Sequence, residues 1–168
     1  MIRKIALAAC ALAACSVSCL GHEPGTALGT YAVTGSLKSQ TCGAGLQPDD
    51  PWSFDVRLSR SGSTLFWLQD SSPALSGTID PSGNATFTTS EIFDLSEPDA
   101  GVAYCAVVRT DTFKAALGTT TDPSGFTGTI AYHYELDQGS SCGGLLAGQY
   151  DSIPCDVGYD LSAKRNSP

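Results

Sequence analysis

Basic residues are scarce in this chain, and that scarcity limits its partners. Nine Lys and Arg residues stand against 17 Asp and Glu residues, which gives a formal net charge of -8. Proteins that bind nucleic acid neutralise phosphates with clustered Lys and Arg, and the sequence has no such stripe. We therefore expect no nucleic-acid partner, and we interpret the scattered acidic residues as a surface that stays soluble.

Histidine, close cysteine pairs and catalytic motifs are also missing, which argues against enzymatic and metal chemistry. The chain has two histidines, and His133 is the only one in the predicted folded domain. A serine nucleophile needs a base and an orienting acid, and we find no nucleophile elbow, phosphate loop or Cys-x-x-Cys spacing. The sequence predicts a non-catalytic protein with no metal ion and no cofactor.

Long hydrophobic runs are absent apart from one short segment near the N-terminus. Arg3 and Lys4 precede an apolar stretch at positions 5–14, which is too short to cross about 30 Å of hydrocarbon as a helix. A positive start followed by a short apolar core is typical of a secretory signal peptide. We assign residues 1–19 to a signal peptide with its cleavage region, and we expect the chain to be exported.

The end of this segment resembles the lipobox of bacterial lipoproteins, in which a cysteine is lipidated and becomes the mature N-terminus. Residues 12–15 are Leu-Ala-Ala-Cys, so Cys15 is the candidate lipidation site. Cys19 is the alternative, because lipidation there would leave an even number of cysteines in the domain, although the usual aliphatic residue before it is missing. Ordinary secretion without a lipid is a third interpretation. No Asp follows either cysteine, and the resemblance then implies a lipid anchor in the outer membrane.

The rest of the chain is predicted to be a short tether and one β domain. Residues 20–28 have no periodicity and contain Pro and Gly, as linkers do. Over residues 29–165 apolar side chains recur at every second position, and this period is typical of strands. The pattern is clearest at 52–60, and its phase breaks near Thr110, which we interpret as a β-bulge. Further strands are predicted at 30–38, 74–80, 84–94, 102–118, 126–137 and 157–164.

Short turns connect these predicted strands into hairpins. Ser-Gly at 61–62 is predicted as a two-residue turn that places Leu65 opposite Leu58. Asp-Pro-Ser-Gly occurs at 80–83 and again at 122–125, and these residues favour a type I turn. A sheet of about eight strands with one apolar face must close or split in two. We predict an all-β, antiparallel up-and-down barrel, with a β-sandwich as the alternative.

Four cysteines remain in the predicted domain, and an oxidising compartment would pair them in two disulfides. If the turn at 122–125 closes a hairpin, Cys105 faces Cys142 and Phe113 faces Tyr134 across it. The first of these pairs is therefore a predicted disulfide.

The other two cysteines, Cys42 and Cys155, follow the first strand and precede the last one. In a closed antiparallel barrel the first and last strands are neighbours that run in opposite directions. The end of the first strand then meets the start of the last strand. We therefore predict a disulfide between Cys42 and Cys155 that ties the seam of the barrel.

Aromatic residues fall mostly on the predicted inner face of the barrel. Eight strands enclose either packed side chains or one small ligand. Trp67, Tyr132 and Tyr134 are the candidate ligand-binding residues.

Both ends of the predicted barrel carry residues that resemble a known superfamily. Gly29-Thr30-Tyr31 resembles the Gly-x-Trp motif of the lipocalins, and Arg165 has the position of the arginine that stacks on the aromatic residue there. The resemblance implies a calyx-like barrel that binds a small apolar molecule, or a related barrel inhibitor of secreted proteases. The whole chain is also similar to small bacterial lipoproteins, a likeness that implies no activity.

These observations predict a non-catalytic, lipid-anchored envelope binding protein. The expected partners are the membrane, reached through the lipid, and a small hydrophobic ligand in a lipocalin-like barrel, or a protein. The alternative is a protease inhibitor or a structural lipoprotein with a filled barrel.

Overall fold

The structure, a computed structural model, describes residues 24–70, 72–96, 103–142, 146 and 150–166. Within these ranges the chain forms strands and connecting turns and no helix. The strands, in chain order, are β1 (Thr26–Gln40), β2 (Trp52–Ser61), β3 (Thr64–Gln69), β4 (Leu75–Ile79), β5 (Asn84–Asp94), β6 (Ala106–Ala116), β7 (Gly125–Leu136) and β8 (Cys155–Arg165). The predicted all-β class is confirmed.

The strands form one closed antiparallel barrel in which each strand pairs with the next. The barrel closes between β1 and β8, where the pairing runs from Tyr31 with Arg165 to Gln40 with Val157. Closure removes both edges of the sheet and hides its apolar face. The predicted up-and-down barrel is therefore confirmed, and the sheet does not split into a sandwich.

The first strand starts earlier than the sequence pattern predicts. It begins at Thr26, so residues 26–28 of the predicted tether belong to β1, and Thr26 and Ala27 pair with Arg60 and Ser59 of β2. A bulge between Ala27 and Gly29 interrupts this pairing. The side chain of Leu28, within the bulge, is buried in the core.

The connections alternate between the two ends of the barrel, and the three longest lie at one end. The hairpin end, where β1 begins, carries the connections 62–63, 80–83 and 117–124. The mouth, at the opposite end, carries the connections 41–51, 70–74, 95–105 and 137–154.

Both predicted disulfides are confirmed, and both lie at the mouth. Cys42, just after β1, is bonded to Cys155 at the start of β8. Cys105, just before β6, is bonded to Cys142 in the connection after β7. The mouth is therefore cross-linked at two places, one of them the barrel seam.

Two of the predicted turns form at or close to the expected positions. The turn between β2 and β3 consists of residues 62–63, one position later than predicted, so Leu58 pairs with Trp67 and not with Leu65. This shift is by two residues and keeps the apolar face intact. In the first Asp-Pro-Ser-Gly segment, Gly83 N donates to Asp80 O at 3.0 Å, which confirms the predicted hairpin turn.

The predicted register between β6 and β7 is wrong. Phe113 pairs with Ile130 and not with Tyr134, a shift of four residues. The reason is that the second Asp-Pro-Ser-Gly segment does not form the hairpin turn by itself. The connection spans 117–124, and Gly118, with a φ of 70°, takes the left-handed conformation there.

The disulfide between Cys105 and Cys142 forms in spite of this shift because the chain turns back after β7. Gly139 has a φ of 83°, and Ser140 N donates to Asp137 O at 3.0 Å. This turn takes up the extra residues and returns Cys142 to Cys105.

Candidate functional site

Trp67 lies in the centre of a packed aromatic interior. Its side chain is only 3% exposed. Its ring centroid lies between 5.6 and 6.1 Å from those of Phe54, Phe87, Phe113 and Phe126. Rings from five strands thus fill this level of the barrel at typical aromatic packing distances. The structure places this predicted ligand-binding residue in the core.

The other two predicted ligand-binding residues, Tyr132 and Tyr134, lie together nearer the mouth. Both are on β7, pack against the core and are partly exposed. The ring of Tyr134 is 5.5 Å from that of Tyr150 in the long connection after β7. The ring of Tyr132 is 6.4 Å from that of Tyr159 on β8, in a T-shaped arrangement. The mouth is therefore lined with tyrosine.

An arginine that the sequence analysis did not single out lies beside these tyrosines. Arg109 on β6 donates from Nε and Nη2 to the two carboxylate oxygens of Asp111, at 2.7 and 3.0 Å. Nη2 is also 3.5 Å from Glu91 on β5. The guanidinium carbon is 5.2 Å from the ring centroid of Phe93 and 5.3 Å from that of Tyr132. We call these five residues the Arg109 cluster.

Burial raises the pKa of the acidic and phenolic groups in and beside this cluster; it lowers the pKa of Arg109, but the hydrogen bonds to Asp111 raise that pKa above its usual value. The Asp111 side chain is 7% exposed and that of Arg109 is 29% exposed. Burial raises the pKa of the Asp111 carboxyl, and the hydrogen bonds from Arg109 act in the opposite direction. Burial also raises the pKa of the Tyr132 and Tyr134 hydroxyls, so both stay protonated near neutral pH. The carboxylate of Asp111, which accepts two hydrogen bonds from Arg109, compensates the positive charge of Arg109.

The sequence does contain a signal for this ion pair, in the alternation of inward-facing and outward-facing positions along β6. Arg109 and Asp111 alternate in phase with Phe113, so all three face the interior. The break in the apolar pattern near Thr110 marks this pair. It is not the predicted bulge, because Thr110 pairs with His133 in an uninterrupted ladder.

A small pocket opens at the mouth next to Tyr132. Its walls are Asp49, Trp52, Tyr132 and Tyr159, and its volume is about 110 Å³. The rings of Trp52 and Tyr159 are 5.5 Å apart. The Tyr159 hydroxyl donates to the backbone oxygen of Asp49 at 3.1 Å, which ties the first connection of the mouth to the barrel wall. We call this the mouth pocket.

The residues that carry the lipocalin resemblance meet at the hairpin end. Tyr31 and Arg165 occupy paired positions on β1 and β8, and a Cβ on Gly29 would lie 2.5 Å from Arg165 Nε. The buried Tyr31 hydroxyl donates to Pro123 O at 2.9 Å, and Arg165 forms an ion pair with Asp122. These contacts close the hairpin end, and the lipocalin likeness itself stays a prediction.

His133 lies on the outer wall of the barrel, away from the mouth pocket. Its Nδ1 is 2.8 Å from a carboxylate oxygen of Asp156, and its side chain is 44% exposed. In the part of the chain that the structure describes, no group of three or more His, Cys, Asp or Glu side chains could hold a metal ion. No helix in that part is long and apolar enough to cross a bilayer. Cys15 and Cys19 lie outside the described residues, so lipidation stays a prediction.

Comparison with known proteins assigns no family. No protein-family model matches the chain, no curated protein matches it, and no solved structure matches it. A function must therefore be inferred from the structure itself.

Proposed function

We propose that this chain is an exported, lipid-anchored envelope protein that binds a small ligand at the mouth and does not transform it. The observation that carries the proposal is the gathering of partly exposed aromatic rings, from Trp52, Tyr132 and Tyr134, at one end of the barrel. Small-molecule sites are typically concave and mostly apolar, with a few placed polar groups. At the mouth, rings line a concave pocket, and the Arg109 cluster and Asp49 supply the polar groups beside them.

A rigid frame around these rings also supports binding. The disulfide Cys42–Cys155 joins the first connection of the mouth to the start of β8, and Cys105–Cys142 joins the connection before β6 to the connection after β7. A site held in place before binding loses less conformational entropy when the ligand arrives. Disulfides are also expected of an exported protein, and the signal-like segment at residues 1–19 supports the same location.

Packing below the mouth limits how the ligand is held. The interior around Trp67 is filled, so a ligand contacts the rim and the first layer of rings instead of entering a deep calyx. The mouth pocket, at about 110 Å³, is well below the roughly 300 to 1,000 Å³ of sites for drug-sized molecules. We therefore propose a small ligand, or a larger amphiphile of which only one end enters.

A second candidate function is contact with a protein, and exposed apolar residues near the mouth favour it. Ile92, Tyr104 and Leu136 are 60%, 43% and 40% exposed. All three lie where β5, β6 and β7 reach the mouth. Ile92 is on the outer face of the barrel wall and Leu136 is on the inner face, so the three side chains offer separate apolar contacts along the rim to a protein partner. In this case the filled barrel would serve as a scaffold for the rim, as in an inhibitor.

Native mass spectrometry of the protein extracted from its own membrane tests the first proposal. We expect the native mass to exceed the denatured mass by that of one retained small molecule, and we expect Tyr132→Leu to lose that molecule. Tyr104→Ala, outside the mouth pocket, is the control and should keep it. Equal native and denatured masses would contradict ligand binding, whereas a protein partner lost only in Tyr104→Ala would support the second candidate. The intact mass of the N-terminal peptide decides between Cys15 and Cys19 as the lipidated residue.

A further inference from the structure

The mouth pocket has walls of aromatic rings and an acidic residue at its rim. Trp52, Tyr132 and Tyr159 form the rings, and Asp49 is the exposed acid. The face of an aromatic ring is electron-rich and attracts cations, with Trp the strongest. A ring set of this kind therefore discriminates by charge as well as by shape.

Two of the rings that line this pocket come from strands on opposite sides of β1, next to the barrel seam. Trp52 is on β2 and Tyr159 is on β8, and β1 runs between them. Gly35 on β1 lies beside both rings, since a Cβ there would be in van der Waals contact with the Tyr159 ring at 3.4 Å and the Trp52 ring at 3.6 Å. A side chain larger than alanine at this position would push the rings apart.

Two neighbouring carboxylates, those of Asp49 and Asp50, place negative charge beside the pocket. Burial raises the pKa of the Tyr159 hydroxyl, and the carboxylates of Asp49 and Asp50 raise it further, so their potential reaches this ring. Arg109, the cation in contact with Tyr132, is paired with the Asp111 carboxylate, which compensates its charge. An anionic ligand would be repelled here.

The protein itself already uses one of these rings to hold a cation. The Arg109 guanidinium carbon is 5.3 Å from the Tyr132 ring centroid, within the usual range for a cation–π contact. Arg109 reaches Tyr132 from β6, on one side of β7, whereas Tyr159 approaches it from β8 on the other side. The side of Tyr132 toward Tyr159 and the pocket is not the side that Arg109 occupies.

We infer that the mouth pocket binds a methylated ammonium group, held by the rings of Trp52, Tyr132 and Tyr159 and by the carboxylate of Asp49. This inference rests on the proposed function, because it names the chemical class of the ligand at the proposed site. A methylated ammonium group fits better than a primary one. A primary ammonium is strongly hydrated and needs hydrogen-bond acceptors for its three N–H groups, whereas three of the four residues that line the pocket present rings and Asp49 supplies the one carboxylate.

Proton NMR titration of the mature protein in detergent with choline chloride tests the inference. We expect the trimethylammonium signal to shift upfield on binding, because methyl groups over ring faces feel the ring current. The carbon isostere 3,3-dimethyl-1-butanol has the same shape without the charge and should bind roughly tenfold more weakly, the size of a desolvated cation–π contact. Sodium chloride at equal ionic strength serves as the blank.

Variants locate the effect. Tyr132→Leu should weaken choline binding roughly tenfold, and Tyr132→Phe should restore it because the ring face is kept. Asp49→Asn should weaken it several-fold, whereas Asp55→Asn is the matched control, since Asp55 is exposed on the outer face of β2. Circular dichroism of each variant checks that the barrel is intact.

Three outcomes would overturn the inference, and two of them spare the proposed function. Equal binding of choline and its carbon isostere would mean an apolar site at the mouth. Failure of both probes, with a retained molecule that Tyr132→Leu loses, would mean a ligand of another class. Failure of both probes with no retained molecule would refute the inference and the proposed function together.

Discussion

The two disulfides should contribute unequally to stability, and the difference can be worked from the chain lengths they enclose. Cys42 and Cys155 are 113 positions apart, and Cys105 and Cys142 are 37 apart. In the chain-entropy treatment, these loops correspond to about 4.8 and about 3.8 kcal/mol of stabilisation at 25 °C. We therefore expect removal of the seam disulfide to cost about 1 kcal/mol more than removal of the other one.

Double alanine variants of each pair, Cys42→Ala with Cys155→Ala and Cys105→Ala with Cys142→Ala, make the comparison. All four cysteines are buried to a similar degree, so the loss of packing should nearly cancel between the two variants. Guanidinium unfolding followed by tryptophan fluorescence gives each free energy of unfolding. Equal losses, or a larger loss from the pair that encloses the shorter loop, would refute the reasoning from loop length.

Two further perturbations follow from the buried polar groups. Asp111→Ala leaves Arg109 without its main partner, and we expect it to lower the free energy of unfolding by roughly 2 kcal/mol. This loss is below the roughly 3 to 5 kcal/mol of a fully buried pair, because Arg109 is 29% exposed. The double variant Asp111→Leu with Arg109→Met replaces both residues and should recover most of that loss, as measured by chemical unfolding. A double variant no more stable than the single one would count against the pairing. Burial raises the pKa of Tyr31, Tyr132 and Tyr159. Above about pH 10 the unfolded chain therefore loses these protons before the folded chain does. The free energy of unfolding then falls as pH rises, by at most about 1.4 kcal/mol per pH unit for each tyrosine. Unfolding free energies measured from neutral to alkaline pH check this, and a flat profile would argue that the hydroxyls are not shielded.

Alternation of apolar and polar residues predicted the strands and the closed barrel, because it reports which face of a strand is buried. It could not set the register, since any shift by an even number of residues keeps the same faces together. Both errors, at Leu58 on β2 and at Phe113 on β6, are even shifts of this kind. The disulfide between Cys42 and Cys155 was predicted from closure alone and did not depend on register.

The candidate site was predictable only in part, because it joins residues from distant strands. Tyr132 and Tyr134 belong to one strand, and their phase places both inside. Trp52 and Tyr159 meet across Gly35 on β1, and this contact depends on closure between the first and last strands. A pattern within one strand contains no information about that contact.

The direction of β1 has a consequence for how the protein would sit at a membrane. The strand enters the barrel at the hairpin end, at Thr26, and ends near the mouth, at Gln40. Strands rise about 3.3 Å per residue and tilt by about 40° in such barrels, so β1 covers roughly 35 to 40 Å of height. A lipid at Cys15 or Cys19 would therefore hold the hairpin end toward the bilayer and raise the aromatic rim well above the headgroups, facing the aqueous space.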